Sequence, residues 1–130
     1  MMWQIDQAIY NQLNTGTLAG RVYNGVAPED AQTPFVVFQL VSGRDAWTHG
    51  ARAAEKLVYQ VKAVGGPSRL DVDSLYQAAD VLLNDAILSI PVPDGQVVML
   101  RRESVFGFTE LDNGRQYWHS GGNYRVIHST

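Results

Sequence analysis

The sequence predicts an α+β domain, a mainly antiparallel four-stranded sheet with two helices packed on one face. Three observations lead there. Apolar residues recur at steps of three and four in two separate segments; four other stretches are β-branched, aromatic or alternating. The segments follow one another as helix, strand, strand, helix, strand, strand, an order that builds hairpins rather than βαβ units. Within 130 residues no repeat, low-complexity tract or linker divides the chain, so 1–130 is read as a single domain.

Met2, Ile5, Ile9 and Leu13 share one side of a first helix, which Asn14, Thr15 and Gly16 stop. The following stretch to Pro34 carries Gly20, Gly25, Pro28 and Pro34 and reads as an irregular connection, with a short strand at RVY (21–23). FVVFQLV (35–41) is apolar on both faces except for Gln39, which suits an interior strand. GRDAWTHGARAA (43–54) has no sustained period and reads as a long loop or a hairpin tip. In EKLVYQVKAV (55–64), Leu57, Tyr59, Val61 and Ala63 alternate with Lys56, Gln60 and Lys62, a strand with one wet face.

Ser68, with Asp71 three residues on, resembles a capping box that opens the second helix. Val72, Leu75, Tyr76, Ala79, Leu82, Leu83, Ala86 and Ile87 carry its apolar face. Pro91, Pro93 and the Asp94-Gly95 pair break the chain before QVVMLRRESVFGF (96–108), a long strand whose middle is exposed or bulged. Asn113-Gly114 is a tight hairpin turn, because both residues tolerate positive φ. The returning strand is 115–129, where Gly121-Gly122 marks a bulge or kink.

Composition narrows the function. With no cysteine, disulfides and thiolate metal sites are excluded. A formal net charge of −3 gives no overall pull toward a phosphate backbone. No apolar run is long enough to cross a bilayer, and the N-terminus lacks the pattern of a secretory signal. His49, His119 and His128 are scattered, and no serine sits in a nucleophile elbow, so no catalytic, cofactor or metal residues are assigned. Asp71 and Asp73 read as first-turn charges complementing the helix dipole, with a magnesium carboxylate pair as the alternative. VGGPSR (64–69) reads as a capped connection, phosphate cradling being the alternative. On alternating strand faces Arg101 and Arg102 point opposite ways unless a bulge intervenes. Phe106 and Phe108 are set to pair across the hairpin with Tyr117, Trp118 and Tyr124, or to stack on bases. Trp47, alone in a polar stretch, either anchors a partner subunit or folds back on its own sheet.

The run IYNQLN, then GRVYNGVAPEDAQTPFVVFQLVSG, EKLVYQVKAVG, the helix YQAADVLLNDAI and a closing hairpin from RRESV to YRV resembles the tail completion or tail terminator proteins of long-tailed bacteriophages and prophages. The most specific part is RVYNGVAP to PFVVFQLVSG, an Arg-Tyr, a glycine turn and Ala-Pro, then a proline opening an apolar strand that closes on Ser-Gly. The resemblance implies a non-enzymatic structural protein without cofactor. It implies a homo-oligomeric ring, typically of six, that caps the tail tube protein and offers a surface to a head-completion or neck protein, while DNA passes through without specific binding. It places the protein in the virion, at the tail end or neck, and in the host cytoplasm during assembly, with no membrane partner. Loops would make the ring contacts, so Pro28, Glu29 and Asp30 of the first connection and Arg44, Trp47, His49 and Arg52 of the second are the interface candidates. A head-closure or neck connector subunit, a nucleic-acid-binding accessory protein and a small enzyme are the other readings. The double glycine at 121–122 departs from the unbroken final strand expected of the family.

Overall fold

The computed structural model describes residues 2–48, 51–66, 68–90 and 96–129, with side-chain surroundings for 5–41, 57–66, 68–88 and 98–126. Helix α1 spans Met2–Leu13 and a single 3-10 turn follows at Gly16–Leu18. Strands β1 (Val22–Asn24), β2 (Phe35–Thr48) and β3 (Ala51–Gly65) precede helix α2 (Arg69–Leu83). Strands β4 (Ile87–Ile90), β5 (Gln96–Asp112) and β6 (Arg115–Ser129) complete the chain.

The expected four-stranded antiparallel sheet is corrected by this topology. Six strands form one mixed sheet in the order β1-β2-β3-β6-β5-β4, curled into a half-barrel, with β1 parallel to β2 and every other pair antiparallel. Both added strands are short edges. β1, Val22–Asn24, matches the short strand read at RVY (21–23), whose few residues amid Gly and Pro gave no alternation to place it in the sheet. β4 is concealed by helical periodicity, since Leu82, Leu83, Ala86 and Ile87 keep the three-and-four spacing across a real break. Helix α2 stops at Leu83, where Asn84 caps it and Asp85 takes φ +61, a left-handed conformation that Asp tolerates.

Of the two readings of 43–54, the long loop is corrected and the hairpin kept, its arms being paired strands almost to the end. β2 runs on to Thr48 and β3 starts at Ala51, paired from Arg44↔Lys56 to Thr48↔Ala51. Ladder hydrogen bonds and neighbouring backbone hold this segment extended although its side chains carry no alternation. The final strand is likewise unbroken. The irregularity lies across from the glycines, in β5, where the register slips between Arg102 and Ser104. An inserted residue turns all that follow onto the other face. Val98 and Leu100 therefore enter the core, whereas Phe106 and Phe108, of the same parity, pair with Gly121 and His119 on the side away from the helices.

One core lies between the sheet's concave face and the helices. Ile5, Ile9 and Leu13 of α1 and Val72, Leu75, Tyr76, Ala79 and Leu83 of α2 meet Val36, Phe38, Leu57, Tyr59, Val61, Val98, Leu100, Tyr124 and Val126. At its centre Tyr59 and Tyr124 stand directly opposite each other on β3 and β6, both fully buried. Each hydroxyl reaches a carboxylate on a different helix: Tyr59 donates to Asp6 of α1 and Tyr124 to Asp80 of α2, both at 2.5 Å. The tyrosine pair thus docks the two helices with directional bonds as well as area.

Burial, followed by the neighbouring carboxylate, pushes both phenols above their ordinary 10.0. The folded state keeps these protons while the unfolded chain releases them near 10.0, so the unfolded state binds fewer protons there and stability falls as pH rises past that value. Alkaline absorbance titration is expected to show Tyr59 and Tyr124 ionising only together with unfolding. Tyr59→Phe and Tyr124→Phe should each flatten the stability loss followed by circular dichroism.

Candidate functional site

Two kinds of surface stand out, a groove under α2 and the uncovered margins of the sheet. The groove, about 610 Å³, lies between α2 and the long β5–β6 hairpin and is lined by Arg69, Asp73, Asp80, Arg102, Val105 and Trp118, among others. Local rules place its wall. Ser68 accepts a hydrogen bond from the Asp71 amide at 3.3 Å and caps α2, as its spacing suggested. Arg69 pairs with Asp73 at 3.5 Å, one helical turn on, and lies over the Trp118 ring at 5.3 Å.

The groove's floor is a hydrogen-bonded relay. Tyr124 spends its proton on Asp80 Oδ1, so Tyr76, 2.8 Å from the Tyr124 oxygen, must donate to it. Arg102 Nη1 meets Asp80 Oδ2 at 3.0 Å. Its guanidinium is held above the usual range by the Tyr76 hydroxyl first and Asp80 second. These four residues join α2, β6 and β5, which makes the groove's floor a structural joint. Arg101 leaves the opposite side of β5 and pairs with Asp85 at 3.4 Å, the divergence expected of adjacent strand residues.

The glycines of VGGPSR are accounted for by close approach. A Cβ on Gly65 would come within 2.9 Å of Pro34, and one on Gly66 within 2.5 Å of the Gln116 carbonyl. Asp71 sits in the first turn of α2, as the dipole favours. Among the described residues no group of three or more His, Cys, Asp or Glu converges, and no helix is long and apolar enough to cross a membrane.

On the sheet's other face, the aromatic pairing differs from the expected one. Phe108 stacks on His119 at 4.3 Å with the rings 11° apart, Phe106 stacks on Phe108 at 6.0 Å, and Lys62 Nζ lies 5.8 Å from the Phe108 centroid. Trp118 packs against the core, and Tyr124 is committed within it. His119 is only 7% exposed; its Nε2 meets Glu110 Oε1 at 3.2 Å, and its Nδ1 is buried without a partner. Because the carboxylate accepts, Nε2 carries the proton and Nδ1 is bare. Protonating Nδ1 would place a charged donor where nothing accepts it, so burial pulls His119 below its ordinary 6.5 against the opposing hydrogen bond from Glu110. The unfolded chain takes up this proton as pH falls through 6.5, before the folded state does, and stability is lost in that window. Between about pH 7 and pH 5, denaturant midpoints should fall less for His119→Phe than for the unchanged protein.

The interface candidates fall at two ends of the sheet. Pro28, Glu29 and Asp30 are exposed, and Glu29 lines a second hollow of about 490 Å³ with Gly66 and residues 115–117, where β3 ends and β6 begins. Arg44 and Trp47 lie in β2 and Arg52 in β3, at the far end, as hairpin strands rather than loop. Their side-chain surroundings, and His49 altogether, lie outside the described residues.

Sequence reasoning missed the sheet margins. β1 covers β2 only at residues 36–38, and β4 covers β5 only at 96–99. Beyond them the Leu100 amide bonds Ala86 and the Arg102 amide bonds Asn84. Among the described residues, 39–48 of β2 and 103–112 of β5 then have no strand on their outer side. Each margin bends at a bulge just past its cover, between Leu40 and Ser42 and between Arg102 and Ser104. The β5 margin exposes Val105 at 60%, Phe108 at 48% and Leu111 at 76%. The signal for it was the length of the β5 pattern beside the shortness of anything able to cover it.

No protein-family model matches the chain, and no curated protein does. Among solved structures, a chain from the virion of a native gene transfer agent (GTA) particle is similar over 96% of this chain and 95% of its own length, with a TM-score of 0.71 and 14% identity. A second solved structure is similar over 97% of this chain and 95% of its own, with a TM-score of 0.64 and 14% identity. At such identities the likeness establishes a common fold across nearly the whole chain.

Proposed function

We propose that this chain is a structural protein of a phage-like virion, acting as the tail completion or terminator subunit whose ring caps the tail tube and receives the head. The observation that carries this reading is the fold it has in common, from end to end, with a chain of the gene transfer agent virion. The motif resemblance from RVYNGVAP to PFVVFQLVSG supports the finer role. The groove fits that reading in that its central cluster, Asp80 with Tyr124 and Arg102, holds α2 to the sheet. In this reading the homo-oligomer is a hexamer, its partners are the tail tube protein and a neck protein, and DNA passes through without specific binding. The protein resides in the virion after assembling in the host cytoplasm. Loop residues Pro28, Glu29 and Asp30 face a neighbouring subunit or ring, as do Arg44, Trp47, His49 and Arg52 at the other end.

Native mass spectrometry with negative-stain imaging of the purified protein tests the ring, and a six-subunit annulus is the expected result. Deleting the gene tests the role: tails should be abnormally long or headless. Intact, normal particles made without the protein would end the proposal.

A further inference from the structure

We propose that neighbouring copies join by strand pairing, the uncovered margin of β5 in one copy adding to the uncovered margin of β2 in the next, so that the sheet continues from subunit to subunit. This rests on the ring reading above and specifies the contact that makes it.

Residues 39–48 and 103–112 are long margins on opposite sides of one sheet, matched in length. Exposed strand edges are normally blunted by proline, lysine or a covering element, yet neither stretch contains a proline or a lysine, and each cover ends where the strand bends away from it.

Direction favours the same partner. From β2 through β3 and β6 to β5 each step is antiparallel, so β2 and β5 run opposite ways. A copy related by rotation about an axis to which the strands are tilted by well under a right angle keeps their sense, and its β2 therefore meets β5 antiparallel, the more favourable ladder. The contact is heterologous and propagates around a ring. The two free margins also lie toward opposite ends of the sheet, since 103–112 is level with the start of β2 while 39–48 is level with the start of β5. Such an offset between successive copies is what tilted strands in a closed barrel require.

Charge selects against the simplest competitor, two β5 margins pairing about a two-fold axis. Antiparallel self-pairing of 103–112 in full overlap would set Glu103 against Asp112 at both ends of the ladder, with no base in the segment and only Arg125 of β6, 3.7 Å from Glu103, to offset them. Like charges directly opposite destabilise a ladder. The β2 margin carries one base and one acid, Arg44 and Asp45, and the adjoining β3 adds Arg52, Glu55 and Lys56, so this hairpin offers bases where the β5 margin offers none.

Backbone hydrogen exchange read by mass spectrometry compares the dissociated chain with the assembled oligomer. Amides in 41–48 and 103–112 should slow by at least about tenfold on assembly, because ladder bonds replace bonds to water. Since the chain has no cysteine, Val41→Cys can be combined in turn with Phe108→Cys, Glu110→Cys or Asp112→Cys. One of these pairs should give a disulfide-linked ladder of oligomers on oxidation. A ring whose margins exchange as fast as in the dissociated chain, with no ladder from any pair, overturns strand pairing and leaves the ring standing. A chain that stays monomeric at every concentration overturns both.

Discussion

Gly122→Ala is expected to lower the unfolding free energy by about 2–3 kcal/mol, as overpacking a closed site does. A Cβ at this position would fall on the Tyr76 hydroxyl and within 2.8 Å of the Ser104 carbonyl. Neither can give way at small cost. Tyr76 is buried and its hydroxyl is bonded to that of Tyr124; Ser104 belongs to the backbone of β5, at the bulge. The methyl must therefore push α2 from the sheet or open the β5–β6 ladder. Gly114→Ala is the comparison. Gly114 lies in open space with φ +77 in the tight turn, so its replacement costs only local strain, about 1 kcal/mol. Urea midpoints at unchanged slope measure both, and a Gly122→Ala protein within about 0.5 kcal/mol of the original would show that β6 and α2 are not in close contact.

That glycine pair shows how far the sequence could be read. Two adjacent glycines in a strand announce a departure from ordinary pairing, and reading them as a bulge in β6 was sound locally. Their cause lies in elements distant along the chain. Gly121 lacks room because of the Val61 carbonyl and Lys62, whose Cβ lies 2.7 Å from the position of an added methyl, and Gly122 because of Tyr76. No window around 121–122 contains those neighbours. Elements that carry their own signal were legible: α1 spans Met2–Leu13 as its periodicity gives, Ser68 caps α2, and Asn113 and Gly114 take φ of +52 and +77 in the turn between β5 and β6.

What failed to show was structure imposed from outside a segment. The outer part of the β2–β3 hairpin carries no alternation in its sequence, yet ladder pairing holds it extended. β4 pairs with β5 on a run that continues a helical period. The slip in β5 sent Phe106 and Phe108 to the face opposite Leu100, so the aromatic partners expected across the hairpin became Phe108 and His119 instead. For the candidate site, loop composition located exposed residues such as Glu29. The free margins emerged only once it was known how little of β2 and β5 is covered. Pairing between strands is a property of two segments at once, and a single stretch of sequence records only half of it.

Removing the carboxylate of Asp80 should be at least as damaging as the glycine change, because three elements converge on that one acceptor. In Asp80→Ala the Tyr124 hydroxyl, fully buried in the core, loses the oxygen it donates to at 2.5 Å. Leaving such a donor unsatisfied costs about 1–3 kcal/mol. Arg102 loses its partner as well, and with side-chain exposures of 35% and 21% the pair is wet enough that its own share is near or below about 1 kcal/mol. Together they predict a loss of about 2–4 kcal/mol. Tyr124→Phe separates the two contributions, since it removes the donor and leaves Asp80 with Arg102. If the hydroxyl-carboxylate bond dominates, the double variant will be little worse than Asp80→Ala alone, and the cycle will give a coupling of about 1–3 kcal/mol. Additive losses would mean instead that Asp80 acts through Arg102, and that the link between α2 and the bulged part of β5, rather than the core tyrosine, sets where the groove's walls stand.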